Sequence, residues 1–162
     1  MAILNIVKDG DEILRSKCRE VDEITPRILR LLDDMRDTLI DSKGVGLAAP
    51  QVGVRRRIVL VENEKGQIYE LINPKIVAFT QERQQDLEGC LSVPNKWGIT
   101  DRPMSVTVEA MNRKGEIFQV SGSGLTARCF CHELDHLDGV LFYDKAVKML
   151  TQKELEELSS ND

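Results

Sequence analysis

No apolar run follows a basic start at the N-terminus, and no stretch approaches the ~20 apolar residues of a membrane-spanning helix. Basic residues are not in excess either. Twenty-seven Asp and Glu against 22 Lys and Arg leave a formal charge of −5, which argues against a general nucleic-acid binder. There is no internal repeat and no low-complexity linker. The expectation is a soluble, cytoplasmic protein without a membrane partner. Its 162 residues suffice for one sizeable core and are too few for two comfortable domains, so residues 1–162 read as a single domain. In that setting Cys18, Cys90, Cys129 and Cys131 read as thiols or metal ligands rather than disulfides.

Histidine is scarce: the chain has two, His132 and His136. They fall within Cys131-His132-Glu133-Leu134-Asp135-His136, an H-E-x-x-H sequence, with no third histidine to complete a metal site. A spacing of four puts both imidazoles on one face of a helix, where they can grip one ion, and Glu133 lies beside them to move protons. Chance matches to this pattern occur in many helices. Here the entire histidine complement is spent on it.

The pattern along the chain predicts an α+β fold: antiparallel strands packed around a central metal-bearing helix, with an N-terminal amphipathic helix and a short C-terminal helix. Residues 2–7 read as a short extended segment and 11–18 as a brief helix. Thr25-Pro26, an N-cap followed by proline, opens a strong helix ended by Lys43-Gly44. Its apolar stripe is Ile28, Leu31, Leu32, Met35 and Leu39. Strand character follows at 57–62, 67–72, 75–80, 105–111 and 117–121, with turns at Gly66 and Gly115. A second strong helix is expected over 123–137, stopped by Gly139, and a last one over 152–158.

A zinc-like or ferrous ion needs a third protein ligand. Cys131 points away from the histidine face. Cys129 shares that face but lies seven residues before His136, roughly 10.5 Å along the axis, too far for joint coordination at bonds of about 2.0–2.3 Å. The ligand must come from elsewhere, and Cys90 is the strongest candidate. It sits in Glu88-Gly89-Cys90-Leu91-Ser92-Val93-Pro94, where Gly89 permits close backbone approach and Pro94 breaks the strand. Otherwise Cys90 is simply a small buried apolar residue.

Gly44-Val45-Gly46-Leu47-Ala48-Ala49-Pro50-Gln51 superficially matches a dinucleotide loop. That reading requires a strand before it and a helix opening within it, whereas a helix precedes it and Pro50 stands where the new helix would grow. A tight small-residue loop beside a ligand is the better account, with Gln51 offering an uncharged amide donor.

Taken in order, these three segments resemble the signature motifs of the peptide deformylases, and the resemblance extends over nearly the whole chain. It implies removal of the N-formyl group from the initiator methionine of new polypeptides. It also implies a metal held by Cys90, His132 and His136, with Glu133 as general acid/base and Gln51 and the Leu91 N–H lining the oxyanion site. Fe²⁺ is the implied catalytic metal, with Zn²⁺ or Ni²⁺ as substitutes. The partners are then N-formylmethionyl polypeptides, met in transient proximity to the ribosome without direct nucleic-acid binding. The family usually has glutamine where this chain has Cys131, which implies altered packing around the site rather than lost metal binding. The C-terminal tail is acidic through Glu154, Glu156, Glu157 and Asp162, which disfavours its docking onto ribosomal RNA.

The residues support such chemistry. The open fourth position of a Cys-His-His metal can hold water and lower its pKa, and Glu133 can pass that proton to a leaving nitrogen. Gly46 and Gly89 would crowd the formyl site, while Val45, Leu125 and Cys129 would line a methionine slot or serve as ordinary core. Arg128 either meets the peptide or snorkels to water, and Arg102 either pairs with Asp135 or remains a solvated surface residue. Two rival readings stand beside the deformylase. An H-E-x-x-H metallopeptidase leaves Cys90 and Gln51 without roles. A non-catalytic deformylase-like metal-binding protein predicts a closed site or a missing catalytic group.

Overall fold

The computed structural model describes residues 2–160; Asp162 of the acidic tail lies outside them. The first helix, α1, spans Pro26–Ser42. The Thr25 side chain accepts from Ile28 N, and Lys43 closes the helix in the left-handed conformation. Two layers follow from the strand pattern. β1 (Gly46–Ala48), β2 (Ile58–Glu62), β3 (Ile68–Phe79), β6 (Ser105–Met111) and β7 (Ile117–Ser123) form an antiparallel sheet in the order β1-β2-β3-β6-β7. β4 (Arg83–Cys90), β5 (Val93–Pro103) and β8 (Ala146–Met149) form a second.

Strand β2 shows how the first sheet is anchored. Successive side chains face opposite ways. Ile58 and Leu60 join Ile28, Leu32, Met35 and Leu39 of α1 in one core. Val59 and Val61 join Leu71, Val106 and Val108 in another, beneath the helix α2, Leu125–Leu137. A sheet covered on both faces explains why β2 reads as an unbroken apolar run. Helix α2 supplies Ala127, Phe130, Leu134 and Leu137 to that second core. It packs against both sheets, so all but Leu125 and Asp135 of its residues are buried. This is the central helix that the sequence pattern predicts. Short α3 (Phe142–Lys145) and α4 (Gln152–Ser160) complete the chain. No helix of the described residues is long and apolar enough to cross a membrane.

Several expected elements differ in detail. The extended 2–7 segment joins no sheet, although Val7 N donates to Gln51 O and Asp9 N to Ser92 O, tying the two loops of the candidate site together. The brief helix shrinks to a 3-10 turn, Glu12–Arg15. The predicted strands 67–72 and 75–80 are one strand, interrupted by a bulge at Asn73 (φ 53) whose amide exchanges two hydrogen bonds with the Val21 backbone. Pro94 does not end a strand. Cys90 pairs with Val93 across a tight turn, and Glu88 pairs with Gly98. Residues 94–97 therefore bow out of the ladder opposite Gly89 alone, so Pro94 withholds no ladder hydrogen bond.

Candidate metal centre

The bowed hairpin places Cys90 against α2. One ligand atom each from Cys90, His132 and His136 lies within 4.8 Å of the others, and Cys90 Sγ is 3.3 Å from His136 Nε2. Two imidazoles one turn apart and a thiol from another element are the donor set of an open three-ligand site. Cys129 and Cys131 stand outside this triangle, both buried in the core beneath α2.

Behind His132 lies a buried charge network that the sequence reading did not assign. Glu88 accepts from His132 Nδ1 (2.7 Å), Thr100 Oγ1 (2.7 Å), Arg102 Nη2 (2.8 Å) and Arg128 Nη1 (3.1 Å). Burial alone would raise the Glu88 carboxyl, but its bonds to His132 and Arg102 outweigh that and hold it far below the ordinary carboxylate range. A carboxylate on Nδ1 fixes the ring orientation and turns Nε2 toward the triangle. Of the two readings of Arg102, pairing with Asp135 is the one found, at 2.7 Å, and the side chain is buried rather than solvated. Arg128 does not snorkel: it is buried, bonded to Glu88, Thr100 and Gln84. Burial is reversed at His136, where desolvation, helped by the charge of His132, depresses the pKa well below normal. A neutral imidazole is the ligand form. Burial also disfavours charge on His132, yet the nearby Glu133, Cys90 and Glu88 raise its pKa well above normal. The site thus calls for positive charge, which a bound cation satisfies.

Glu133 is 4% exposed, its Oε1 has no hydrogen-bond partner among the described residues, and burial pushes its carboxyl up to about 7. Such a group is close to balanced between acid and base near neutral pH. A Cβ at Gly46 would lie 2.5 Å from Glu133 Oε2, so the glycine makes room for the carboxylate. Gln51 is aimed by its own bonds: Oε1 accepts from Ala48 N at 2.9 Å, while Nε2 donates to Ser92 Oγ at 3.1 Å and approaches Cys90 Sγ at 3.6 Å.

A cavity of about 440 Å³ opens onto these groups. Val45, Gly46, Gln51, Gly89, Cys90, Leu91, Leu125, Cys129, His132 and Glu133, all candidates from the sequence, line it together. Val45 and Leu125 are exposed there, which sets them apart from core residues, whereas Cys129 is buried and belongs to the core as well. His136 approaches from beneath, through its contact with Cys90. Trp97 was missed; its ring lies 2.5 Å from where a Cβ on Gly89 would stand, and it forms one wall. Nothing in the local pattern signals this, because the proline at 94 obscures the strand. Glu88 carried a weak signal: two residues before Cys90 on a strand is the spacing of one shared face.

The profile of the polypeptide deformylase family matches residues 3–152. A peptide deformylase of Acetivibrio thermocellus is 51% identical over 162 residues, covering 99% of this chain and 94% of the relative. Among solved structures, a peptide deformylase from Legionella pneumophila superposes with a TM-score of 0.85 at 36% identity, covering 99% of this chain and 97% of that one. A class I type b peptide deformylase from Acinetobacter baumannii, bound to Met-Ala-Ser, gives 0.83 at 32% identity, covering 89% and 98%.

Proposed function

The chain belongs to the polypeptide deformylase family, and from that premise we propose how its own residues divide the work. The protein is a metal-dependent hydrolase that removes the N-formyl group from the initiator methionine of newly made polypeptides, releasing formate. Neither rival reading is favoured.

In this proposal Cys90, His132 and His136 hold a divalent ion, Fe²⁺ in the cell with Zn²⁺ or Ni²⁺ as substitutes, an assignment that mixed thiolate–imidazole ligation supports. When bound, the ion supplies Lewis acidity and a water acidic enough to serve as nucleophile near neutral pH. Glu133 takes the proton released by the attacking water and returns it to the departing amide nitrogen. Gln51 Nε2 and the Leu91 N–H donate to the formyl oxygen as it gains charge; the 3.6 Å contact of Gln51 with sulfur is the one exchanged for this. Losing either donor would cost about 2.7–4 kcal/mol of transition-state stabilisation. Val45, Leu125 and Cys129 take the methionine side chain, and Gly46 and Gly89 let the Glu133 carboxylate and the Trp97 ring close in, which narrows the site to a group as small as formyl. Residues 1–162 act as one catalytic domain, a reading supported by a site that draws on both sheets. The setting is cytoplasmic, near the ribosome.

One observation carries the assignment of roles: a thiol and two imidazoles converge within 4.8 Å, beside the buried carboxylate of Glu133. The test is formate release from formyl-Met-Ala-Ser by Fe²⁺-loaded, anaerobically purified protein, beside Glu133→Ala and Cys90→Ala. Wild-type activity is expected, with Glu133→Ala inactive but still metal-bound. A Cys90→Ala protein holding metal at full affinity would remove Cys90 from the ligand set.

A further inference from the structure

Seven of the chain's twelve arginines sit in ion pairs: Arg15, Arg36, Arg57, Arg83, Arg102, Arg113 and Arg128. The other five, Arg19, Arg27, Arg30, Arg55 and Arg56, have no carboxylate at ion-pair distance among the described residues, and every one lines the same groove. Lys17 joins them there, also unpaired. The groove has a volume of about 990 Å³, larger than the metal-site cavity, and shares no lining residue with it.

Its surroundings enlarge the positive field. Six cations face three carboxylates, Asp22, Glu23 and Asp34, in a chain whose overall charge is −5. Asp34 is already occupied by a hydrogen bond from Ala2 N. Thr25, the N-cap of the 17-residue α1, lines the groove too, so the positive end of that helix opens on it. Two of the arginines are steadied by neutral groups only: Arg55 Nε donates to Ser16 Oγ at 3.1 Å and Arg56 Nη1 to Glu20 O at 3.3 Å. Arg19 and Arg56 are held side by side by a backbone bridge. Five guanidinium groups gathered in one groove without a carboxylate at ion-pair distance repel one another, and a bound anion relieves that repulsion.

We propose that this groove binds the sugar–phosphate backbone of RNA. Arginine's planar fork matches phosphate oxygens in pairs, and an array of such forks along a groove suits a repeating phosphate ligand better than a single small anion. RNA is the polyanion that an enzyme acting on newly made polypeptides meets. The groove lies beside the N-terminal half of α1, whereas Lys43 and Gly44, beyond its C-terminal end, border the catalytic cavity. Bound RNA therefore leaves the cavity open. The assignment reverses the expectation, drawn from net charge, that this chain makes no direct nucleic-acid contact. The groove's charge stands on its own, and the choice of RNA among polyanions rests on the proposed function.

The test is fluorescence anisotropy of a short labelled RNA hairpin titrated with the metal-loaded, full-length protein from about 50 to about 200 mM salt. Binding is expected to weaken linearly on a log–log plot, with a slope of about −0.9 per phosphate contacted. Arg27→Glu combined with Arg30→Glu should weaken binding roughly tenfold or more at the lowest salt and reduce the slope by about 2, independent of RNA sequence. Acids near the start of a helix are well tolerated, so this variant keeps its fold. Lys65→Glu with Lys114→Glu makes the same charge change at two distant hairpin turns and should bind RNA with an unaltered slope. Formate release from formyl-Met-Ala-Ser should be unchanged in both. No RNA binding by the wild type, an unaltered slope in the arginine variant, or equal loss in the lysine variant would overturn the proposal. So would a polyglutamate peptide that binds as tightly as RNA. A failed catalytic reading would look different: absent formate release with RNA binding intact.

Discussion

Gly46 shows how much one missing methyl group decides. The nearest atoms to its absent Cβ belong to the Glu133 side chain, with Cγ at 2.9 Å as well as Oε2 at 2.5 Å. Alanine there forces the carboxylate aside while leaving the ligand triangle untouched. Gly46→Ala is expected to keep its metal and lower kcat roughly 100-fold, since an ångström-scale displacement of a reacting group costs about that much. Steady-state kinetics beside metal analysis checks it; unchanged kcat would mean that Glu133 does not depend on this packing. Most residues of the cavity are legible in the sequence because their types are chemically restricted, as with two histidines at helical spacing. Glu88 shows only its strand face in the sequence, because its role arises when Thr100, Arg102, Arg128 and His132 from other elements converge on it. Trp97 is hidden for the same reason: its partner is a hydrogen atom on Gly89.

Among the elements, α1, α2 and the strands of the larger sheet other than β1 carry strong local signals, namely capping, a 3.6-residue stripe and β-branched runs; β1, Gly46–Ala48, reads as a loop because its residues are small. The smaller sheet carries almost none. β4 is largely polar, and β5 contains two prolines and a glycine yet folds as a strand because its ladder skips 94–97. β8 is four residues long and added through only three paired positions. One long-range tie between elements makes a pH prediction. Glu70 on β3 receives Arg113 Nε at 2.6 Å and Nη2 at 2.9 Å from the β6–β7 hairpin, and Arg36 from α1 at 3.2 Å. Burial raises the Glu70 pKa, but these bonds and charges outweigh it and lower it overall. With the folded pKa below the unfolded one, the contribution is complete above the ordinary carboxylate range of about 4 and is lost as pH falls through the folded value. Glu70→Gln should therefore be less stable than wild type by about 1 kcal/mol at neutral pH, with half-exposed Arg113 limiting the effect. Urea denaturation repeated near pH ~3 should find the two converging; a constant difference would locate the loss in packing instead.

Across the whole molecule, the candidate metal centre joins the smaller sheet to α2, beside the Glu88 network that already ties the two together. Cys90 comes from the smaller sheet, and both histidines come from the helix packed on the larger one. An ion that binds only the folded arrangement adds about 2.7 kcal/mol at 100 times its dissociation constant. For a chain of this size that corresponds to a melting temperature roughly 5–10 °C higher. Chelation should reverse the rise, and His136→Ala should show none. The same chelation uncovers one thiol: Cys90 is half-buried, whereas burial raises the pKa of Cys18, Cys131 and, up to about 12, Cys129. Intact mass after iodoacetamide treatment of the metal-free native protein should therefore show a single adduct. The electrostatics of the molecule are as divided as its layers. An acidic C-terminal helix and an arginine-lined groove coexist in one small chain, and net charge conceals both.

The indole lying over Gly89 also constrains how this sequence can change over time. A side chain at 89 is barred while Trp97 stands, and a smaller residue at 97 opens a wall of the cavity while 89 remains glycine. Each position sets the terms for the other, so a lineage can exchange this pair only in one order, shrinking 97 first and enlarging 89 second. Its substrate pocket would be remodelled in between.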